Sequence, residues 1–188
     1  MDLTKPFGIQ LYQKDRKDLH VLKDLLQLLK SQTKGKNVSF AYIEANTSLI
    51  PDLTLWENLQ IVTGGPSWEE AKASLKPEYA ALFRLIRNPD TISQEVEAWE
   101  RFCLSLLKGI LSPAHSLLVD MDEDLFSPLM VQNFKKTFLS LASERKIYLA
   151  SATSGLWLDC AHSIVTRNNF SFITEELDQE LLKRHWVA

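Results

Sequence analysis

The sequence predicts an α/β fold in which a largely parallel β-sheet is flanked by helices. Short apolar segments alternate with longer amphipathic segments over most of the 188 residues, and strands separated by helices favour parallel pairing. An apolar content of 45% and an aromatic content of 10% exclude a disordered chain. Since no repeat, low-complexity tract or linker interrupts the pattern, we predict one domain over residues 1–188.

The first elements follow from β-type and helical spacing. Residues 6–12 predict a strand, and residues 37–43 predict a second one because they are β-branched and aromatic. Between them, a helix is predicted over 18–34, ended by Gly35 in the usual C-cap position. Its apolar face carries Leu19, Leu22, Leu25, Leu26 and Leu29.

Helices dominate the middle of the chain. Prolines and the Gly64-Gly65-Pro66 breaker predict loops around a short helix at 55–61. Ser67 followed by Glu70 is a capping-box pattern that predicts a helix toward Leu75. Pro77 suits the first turn of a helix reaching about Arg87, and apolar periodicity predicts a long helix over 93–111.

The last third returns to alternating strands and helices. Strands are predicted at 116–120 and 146–151, separated by a helix over 128–143, with a short helical segment at 156–163. Residues 163–167 and 170–174 predict a hairpin around Asn168-Asn169. A polar helix is predicted from Glu175 onward.

Charge and composition limit the partners and the compartment. A net charge of -3 gives no reason to expect nucleic acid or an anionic membrane as the main partner. The sequence shows no signal peptide and no run of the roughly 18 apolar residues that a membrane span needs, so we expect a cytoplasmic protein. Cys103 and Cys160 are expected to be buried reduced thiols rather than a disulfide.

Few residues are arranged for chemistry. The 6 glycines leave residues 9–34 without one, so no glycine-rich phosphate loop can be written. An acidic cluster of Asp120, Asp122, Glu123 and Asp124 follows a predicted strand, where it could hold Mg²⁺, although a solvated acidic turn is favoured. The 4 histidines have no metal-ligand spacing.

One stretch, FAYIEANTSLIPDLTLWENL (40–59), resembles the Q-loop segment of ABC-transporter ATPase domains, with its Leu-Thr-x-x-Glu-Asn-Leu phrase at 53–59. Further landmarks follow the family's order. Residues 8–29 are similar to its first strand, Walker A loop and first helix. Residues 92–128 resemble its signature motif, with Ser93 at the signature serine, and its Walker B strand and D-loop. Residues 146–167 resemble the strand, switch loop and strand that follow. The resemblance implies an ABC-ATPase-like fold with a small helical subdomain at about 64–111 and a reduced antiparallel subdomain.

The departures from the family pattern fall on its chemical positions. Only Lys17 matches the Walker A lysine, and only Asp120 matches the Walker B aspartate. Other residues replace the magnesium-binding hydroxyl, the Q-loop glutamine, the two signature glycines, the catalytic glutamate and the switch histidine: Asp18, Ala45, Gln94, Glu95, Met121 and Ala152. The resemblance therefore implies a pseudo-ATPase that is not an enzyme, with no catalytic residue, no cofactor and no metal.

In that family, the region after the Q-loop receives the coupling helix of a membrane subunit. By resemblance, we expect docking residues at Ile50, Leu53, Leu55, Trp56, Leu59 and Trp68. The partner would be a membrane transport component at the inner face of the membrane, or an active ATPase subunit. From the residues alone, Trp56 and Trp68 are equally compatible with core and with interface.

Two alternatives stay open. The chain could be an atypical nucleotide-binding ATPase subunit that uses Lys17, Asp120 and Asp122. It could also be a homodimeric scaffold, in which the former nucleotide surface joins two copies.

Overall fold

The computed structural model describes residues 8–14, 21–32, 38–45, 49–65, 67–168 and 171–178. Its contacts divide the chain into two compact units. The first unit comprises Met1–Phe40 and His115–Ala188, and the second comprises Ala41–Ala114. The predicted helical subdomain of about 64–111 lies within the second unit, which also takes in residues 41–63.

The described strands form a six-stranded sheet with the order β2-β3-β4-β1-β5-β6. They are β1 (Gly8–Gln13), β2 (Phe40–Ile43), β3 (Ser116–Met121), β4 (Lys146–Ser151), β5 (Ser163–Asn168) and β6 (Ser171–Glu176). β1 runs parallel to both β4 and β5, and β3 runs parallel to β4, whereas β5 and β6 are antiparallel. The predicted α/β fold with a mostly parallel sheet is confirmed.

The core of the first unit consists of apolar strand residues and of apolar side chains from two helices. Helix α1 (Val21–Gln32) contributes the buried Leu25 and Leu29. The last helix of the described chain, α6 (Pro128–Leu141), begins where the Ser127 hydroxyl accepts a hydrogen bond from the Met130 amide. A row of aromatic rings then extends through this core: Phe126, Phe134, Phe138 and Trp157.

The second unit holds the helices α2 (Leu55–Thr63), α3 (Trp68–Ala73), α4 (Pro77–Phe83) and α5 (Ala98–Leu111). Both α2 and α3 begin with a complete capping box, Thr54 with Glu57 and Ser67 with Glu70. Each box satisfies two backbone amides at a helix start, which fixes the point where the chain turns into the helix. Gly64 caps the C-terminus of α2, and its φ of 70° lies in the left-handed region that suits glycine.

The predicted helix over 93–111 is wrong at its start. Residues Ser93–Glu95 form a 3-10 turn, Val96 and Glu97 are extended, and α5 begins only at Ala98. The Ser93 amide donates to the Leu53 carbonyl at 2.9 Å rather than to a helical partner. A contact that is distant in sequence has therefore overridden the local helical periodicity.

Other boundaries differ near the C-terminus. Glu175 and Glu176 belong to β6, so the predicted terminal helix does not begin at Glu175; residues 179–188 lie outside the described residues. The helical segment predicted at 156–163 is a 3-10 turn at Ser154–Trp157. The hairpin is confirmed, with Asn168 opposite Ser171, while the connecting residues 169–170 are not described.

None of the described helices combines the length and the apolar character that crossing a bilayer requires.

Both cysteines are free and buried, as the sequence predicted. Burial, with Glu100 nearby, raises the pKa of the Cys103 thiol to about 12. Burial, with Asp159 nearby, likewise raises the pKa of the Cys160 thiol to about 12. The reactive thiolate is therefore almost absent in the folded protein at neutral pH.

We expect neither thiol to react with Ellman's reagent in the native protein at about pH 8, because the thiolate fraction there is about 10⁻⁴. Both thiols should react within minutes once the protein is unfolded in guanidinium chloride. Rapid labelling of one thiol in the native state would contradict the described burial of that cysteine.

Candidate functional site

The carboxyl edge of the sheet is the place where open α/β folds bind their ligands. Register places Asp120 of β3, Ala150 of β4 and Tyr12 of β1 in one row across three parallel strands. Because side chains alternate between the faces of a strand, Lys14 lies on the same face as Tyr12, one step beyond it. Lys14 and Asp120 are thus separated by β4, whose side chain next to Asp120 on this face is the small Ala150.

Lys14 uses this gap to form an ion pair with Asp120. The Lys14 ammonium contacts the Asp120 carboxylate directly across β4. The two side chains are only 14% and 20% exposed, so solvent screens the pair less than a pair on the open surface. The single Walker B carboxylate that the family resemblance identifies is therefore already neutralised by a cation from the chain itself.

Glu123, in the 3-10 turn Glu123–Leu125 that follows β3, is held in a second polar network. Its carboxylate accepts hydrogen bonds from the Ser151 hydroxyl and from the Trp157 indole N–H, the latter at 2.8 Å. Trp157 is fully buried, so its N–H needs a partner inside the protein. Glu123 thereby joins the loops that follow β3 and β4.

The predicted acidic cluster is consequently split by the fold. Asp120 pairs with Lys14 and Glu123 binds Ser151 and Trp157, while Asp122 and Asp124 are exposed. Met121, which stands where the resemblance expects the catalytic glutamate, is fully buried. Within the described part of the chain, no three His, Cys, Asp or Glu side chains are grouped to hold a metal ion.

The other residue assigned to the nucleotide loop, Lys17, lies in 15–20, outside the described residues.

The signature-like serine has a structural role in the second unit. Ser93 is 1% exposed, and its hydroxyl is placed to donate to the carbonyls of Ile50 at 2.8 Å and Pro51 at 3.1 Å. Further backbone hydrogen bonds connect the same two chain segments: Ser93 to Leu53, Gln94 to Pro51, Leu55 to Thr91 and Trp56 to Pro89. We call residues 49–57 and 88–97, which these bonds join, the paired-loop surface.

The side chain of Asn58 fixes the backbone of the first segment of the paired-loop surface. Its side chain is fully buried, and its carbonyl oxygen accepts a hydrogen bond from the Ile50 amide at 2.8 Å. Its side-chain NH₂ group faces three backbone carbonyls at 3.0–3.3 Å, those of Ile50, Leu53 and Thr54. A buried amide that satisfies so many main-chain groups fixes the conformation of the loop.

These contacts explain the family-like phrase at 53–59 in physical terms. Thr54 and Glu57 form the capping box, Asn58 holds the loop, and Leu55 and Leu59 are fully buried in the core. The phrase therefore specifies how the loop enters α2.

The predicted docking residues divide into buried and accessible ones. Leu55 and Leu59 belong to the core, so they do not line an open groove. Ile50 is 47% exposed, and Leu53, Trp56 and Trp68 are half-buried.

Trp56 and Trp68 connect three helices and remain partly accessible. Their ring centroids are 5.8 Å apart in an edge contact, and the Trp68 ring lies 4.6 Å from that of Phe83. The two tryptophans therefore pack between helices and also form part of the protein surface.

A small cleft lies beside Ile50. It has a volume of about 170 Å³ and is lined by Leu49, Pro51, Ser93, Gln94 and Arg101. This is below the roughly 300–1,000 Å³ of small-molecule sites. Its size suits a single side chain of a partner rather than a cofactor.

Sequence reasoning missed the roles of Lys14 and Asn58, and it named Glu123 only as a member of the acidic cluster. Lys14 could have been found from strand alternation, because it lies in phase with Tyr12 beyond the end of β1. Asn58 gave no signal other than its place in the 53–59 phrase. The partners of Glu123, Ser151 and Trp157, are too distant in sequence for any local pattern to reveal.

We expect Asn58→Ala to lower the free energy of unfolding by about 2–4 kcal/mol, because it leaves buried backbone groups without partners. Chemical denaturation followed by circular dichroism measures the change. Asn133→Ala on α6 is the matched control and should change stability by less than about 0.5 kcal/mol, since Asn133 is half-buried and alanine favours the helix. Equal effects of the two substitutions would contradict the role of Asn58.

No family model matches this chain, and no curated protein matches it in sequence. In fold it is similar to 719 chains of solved structures. An ABC transporter in an inward-facing conformation aligns with a TM-score of 0.67 at 12% identity, over 100% of this chain and 80% of that one. A dimeric ATP-binding cassette with ADP and phosphate aligns with a TM-score of 0.70 at 11% identity, over 95% and 88%.

The ATP-binding subunit of an ABC transporter aligns with a TM-score of 0.69 at 17% identity, over 97% of this chain and 82% of that one. At such identities the likeness concerns the fold. This chain has the fold of ABC-transporter ATPase domains over nearly its whole length, which confirms the predicted fold class.

Proposed function

We propose that this protein is a non-catalytic member of the ABC-ATPase fold that acts through protein–protein contacts. It would dock on a membrane transport component, or on an active ATPase subunit, through the paired-loop surface. A shared fold does not establish a shared activity. The activity depends on the residues at the carboxyl edge of the sheet and at the paired-loop surface.

The ion pair between Lys14 and Asp120 carries the proposal. A carboxylate that binds the Mg²⁺ of a nucleotide must be open to that metal. Here a tethered ammonium contacts the carboxylate in a largely buried setting, and a metal ion would have to displace it. The displaced lysine would then stand beside a divalent cation, which like-charge repulsion opposes.

The composition of the segment that resembles the Walker A loop supports the same conclusion. A phosphate cradle needs consecutive backbone N–H groups that point inward, which glycines permit. No glycine occurs between residues 9 and 34 of this chain. Since the loss of one preorganised donor typically costs 10²–10³ in rate, the loss of a whole cradle should abolish hydrolysis.

The paired-loop surface supports the docking part of the proposal. The side chains of Ser93 and Asn58 form hydrogen bonds with the backbone of residues 50–54 and so keep this surface in one conformation. The surface presents the exposed Ile50, next to a cleft that suits one side chain. A preorganised surface with an apolar contact point loses little entropy when a partner binds.

We expect isothermal titration of the protein with ATP and Mg²⁺ to show no binding at micromolar nucleotide. ATP and Mg²⁺ together should also leave the thermal unfolding midpoint unchanged, because a ligand that binds only the native state would raise it. Micromolar binding, or a clear rise of the midpoint, would overturn the non-catalytic proposal.

A pair of substitutions then tests the role of Asp120. Asp120→Asn should lower the free energy of unfolding by about 1–3 kcal/mol, because Lys14 would be left largely buried without its counter-ion. Asp122→Asn, at the neighbouring exposed carboxylate, is the matched control and should change stability by less than about 0.5 kcal/mol. If Asp120→Asn is neutral for stability but abolishes nucleotide binding, Asp120 serves a nucleotide site.

A further inference from the structure

The paired-loop surface carries charge of one sign only. Its two segments, 49–57 and 88–97, contain no Lys, Arg or His and five acidic residues. All five are exposed: Asp52, Glu57, Asp90, Glu95 and Glu97. The backbone hydrogen bonds between these segments bring both sets of carboxylates to one surface, although they are about 40 residues apart in the chain.

Two of the five carboxylates are already engaged. Glu57 accepts the Thr54 amide in its capping box, which lowers the pKa of the Glu57 carboxyl group. Glu97 accepts the indole N–H of Trp99. Within the part of the chain that the structure describes, no Lys or Arg forms an ion pair with Asp52, Asp90 or Glu95, so their charge is left for another molecule.

Two arginines lie next to these segments, and one of them, Arg101, also lines the cleft. Arg101 donates to the backbone carbonyls of Ala45 and Val96. Arg87 lies over the Trp99 ring, 5.3 Å from its centroid. Neither group therefore neutralises the three remaining carboxylates through a described contact.

An apolar contact point lies within this acidic field. Ile50 is 47% exposed, and the cleft beside it is lined by Leu49, Pro51, Ser93, Gln94 and Arg101. Asp52 and Glu95, which directly follow Pro51 and Gln94 in the chain, are both exposed. Interfaces of this kind combine a small apolar centre with a charged rim that selects the partner.

We infer that the partner presents a cationic amphipathic segment, with Lys or Arg facing Asp52, Asp90 and Glu95 and one apolar side chain at Ile50 and its cleft. This inference rests on the proposed docking function and names the chemistry of its partner. A segment with acidic or uncharged flanks would leave the three carboxylates without counter-ions and would bind more weakly.

The test uses the full-length protein and three short helical peptides that share one leucine-rich face. Their opposite faces carry lysine, glutamine or glutamate, and binding is followed by fluorescence anisotropy. We expect the lysine peptide to bind about tenfold more tightly than the glutamine peptide, and the glutamate peptide not to bind. The advantage of lysine should shrink at high salt, because the carboxylates are exposed.

Two triple variants separate local charge from net charge. The variant D52N/D90N/E95Q should lose the tenfold preference for lysine. The control E144Q/E175Q/D178N removes the same number of exposed carboxylates from the first unit and should keep it. If both triple variants lose the preference equally, net charge explains the binding and the inference is overturned.

Two further outcomes also overturn the inference but differ in what they say about docking. If all three peptides bind equally and Ile50→Ser weakens all of them, the docking surface stands and only the cationic partner is wrong. If no peptide binds, the surface has no affinity for helical segments and the docking part of the proposed function loses its support. The titration with ATP and Mg²⁺ decides the non-catalytic part in either case.

Discussion

The hydrogen-bonding demand of a loop without regular structure shapes the second unit of this protein. The backbone groups of residues 50–54 are not paired in a helix or a sheet, and backbone groups without hydrogen-bond partners are costly where water is excluded. Asn58 from α2 and Ser93 from the facing segment satisfy these groups, and both side chains are almost completely buried. The capping box of α2, the interrupted start of α5 and the exposure of Ile50 all follow from this arrangement. A loop that is held so firmly is better suited to recognition than to the movement of a catalytic lid.

Polar groups at the carboxyl edge of the sheet also need hydrogen-bond or ion-pair partners. Polar side chains that could face a ligand there instead satisfy one another, Lys14 with Asp120 and Glu123 with Ser151 and Trp157. The small Ala150 makes the first of these contacts possible, since a larger side chain at this position of β4 would stand between the lysine and the aspartate. Burial raises the pKa of Tyr12 and Tyr148 on the same face, so both phenols stay neutral at physiological pH. The edge therefore presents few free charges to a nucleotide.

Sequence patterns predicted the fold well and the site only in part. Short apolar segments and capping boxes are local features, so the apolar segment at 146–151 and the Ser67–Glu70 spacing were sufficient to place β4 and α3. The start of α5 was missed because Ser93 binds a loop about 40 residues earlier, which no helical period reveals. The half-buried Leu53 and the fully buried Leu55 could not be told apart, because both are leucines and their burial depends on tertiary packing. Lys14 and Glu123 gained their roles from strand order, which local patterns do not specify.

Amide hydrogen exchange in the presence and absence of ATP and Mg²⁺ tests the central claim most directly, since it follows every segment of the chain at once. If the fold has kept its shape without nucleotide chemistry, exchange in residues 8–34, 116–127 and 146–157 will be the same with and without nucleotide. Protection of the segments around Lys14, Lys17 and Asp120 on addition of ATP and Mg²⁺ would show a working nucleotide site and would contradict this account.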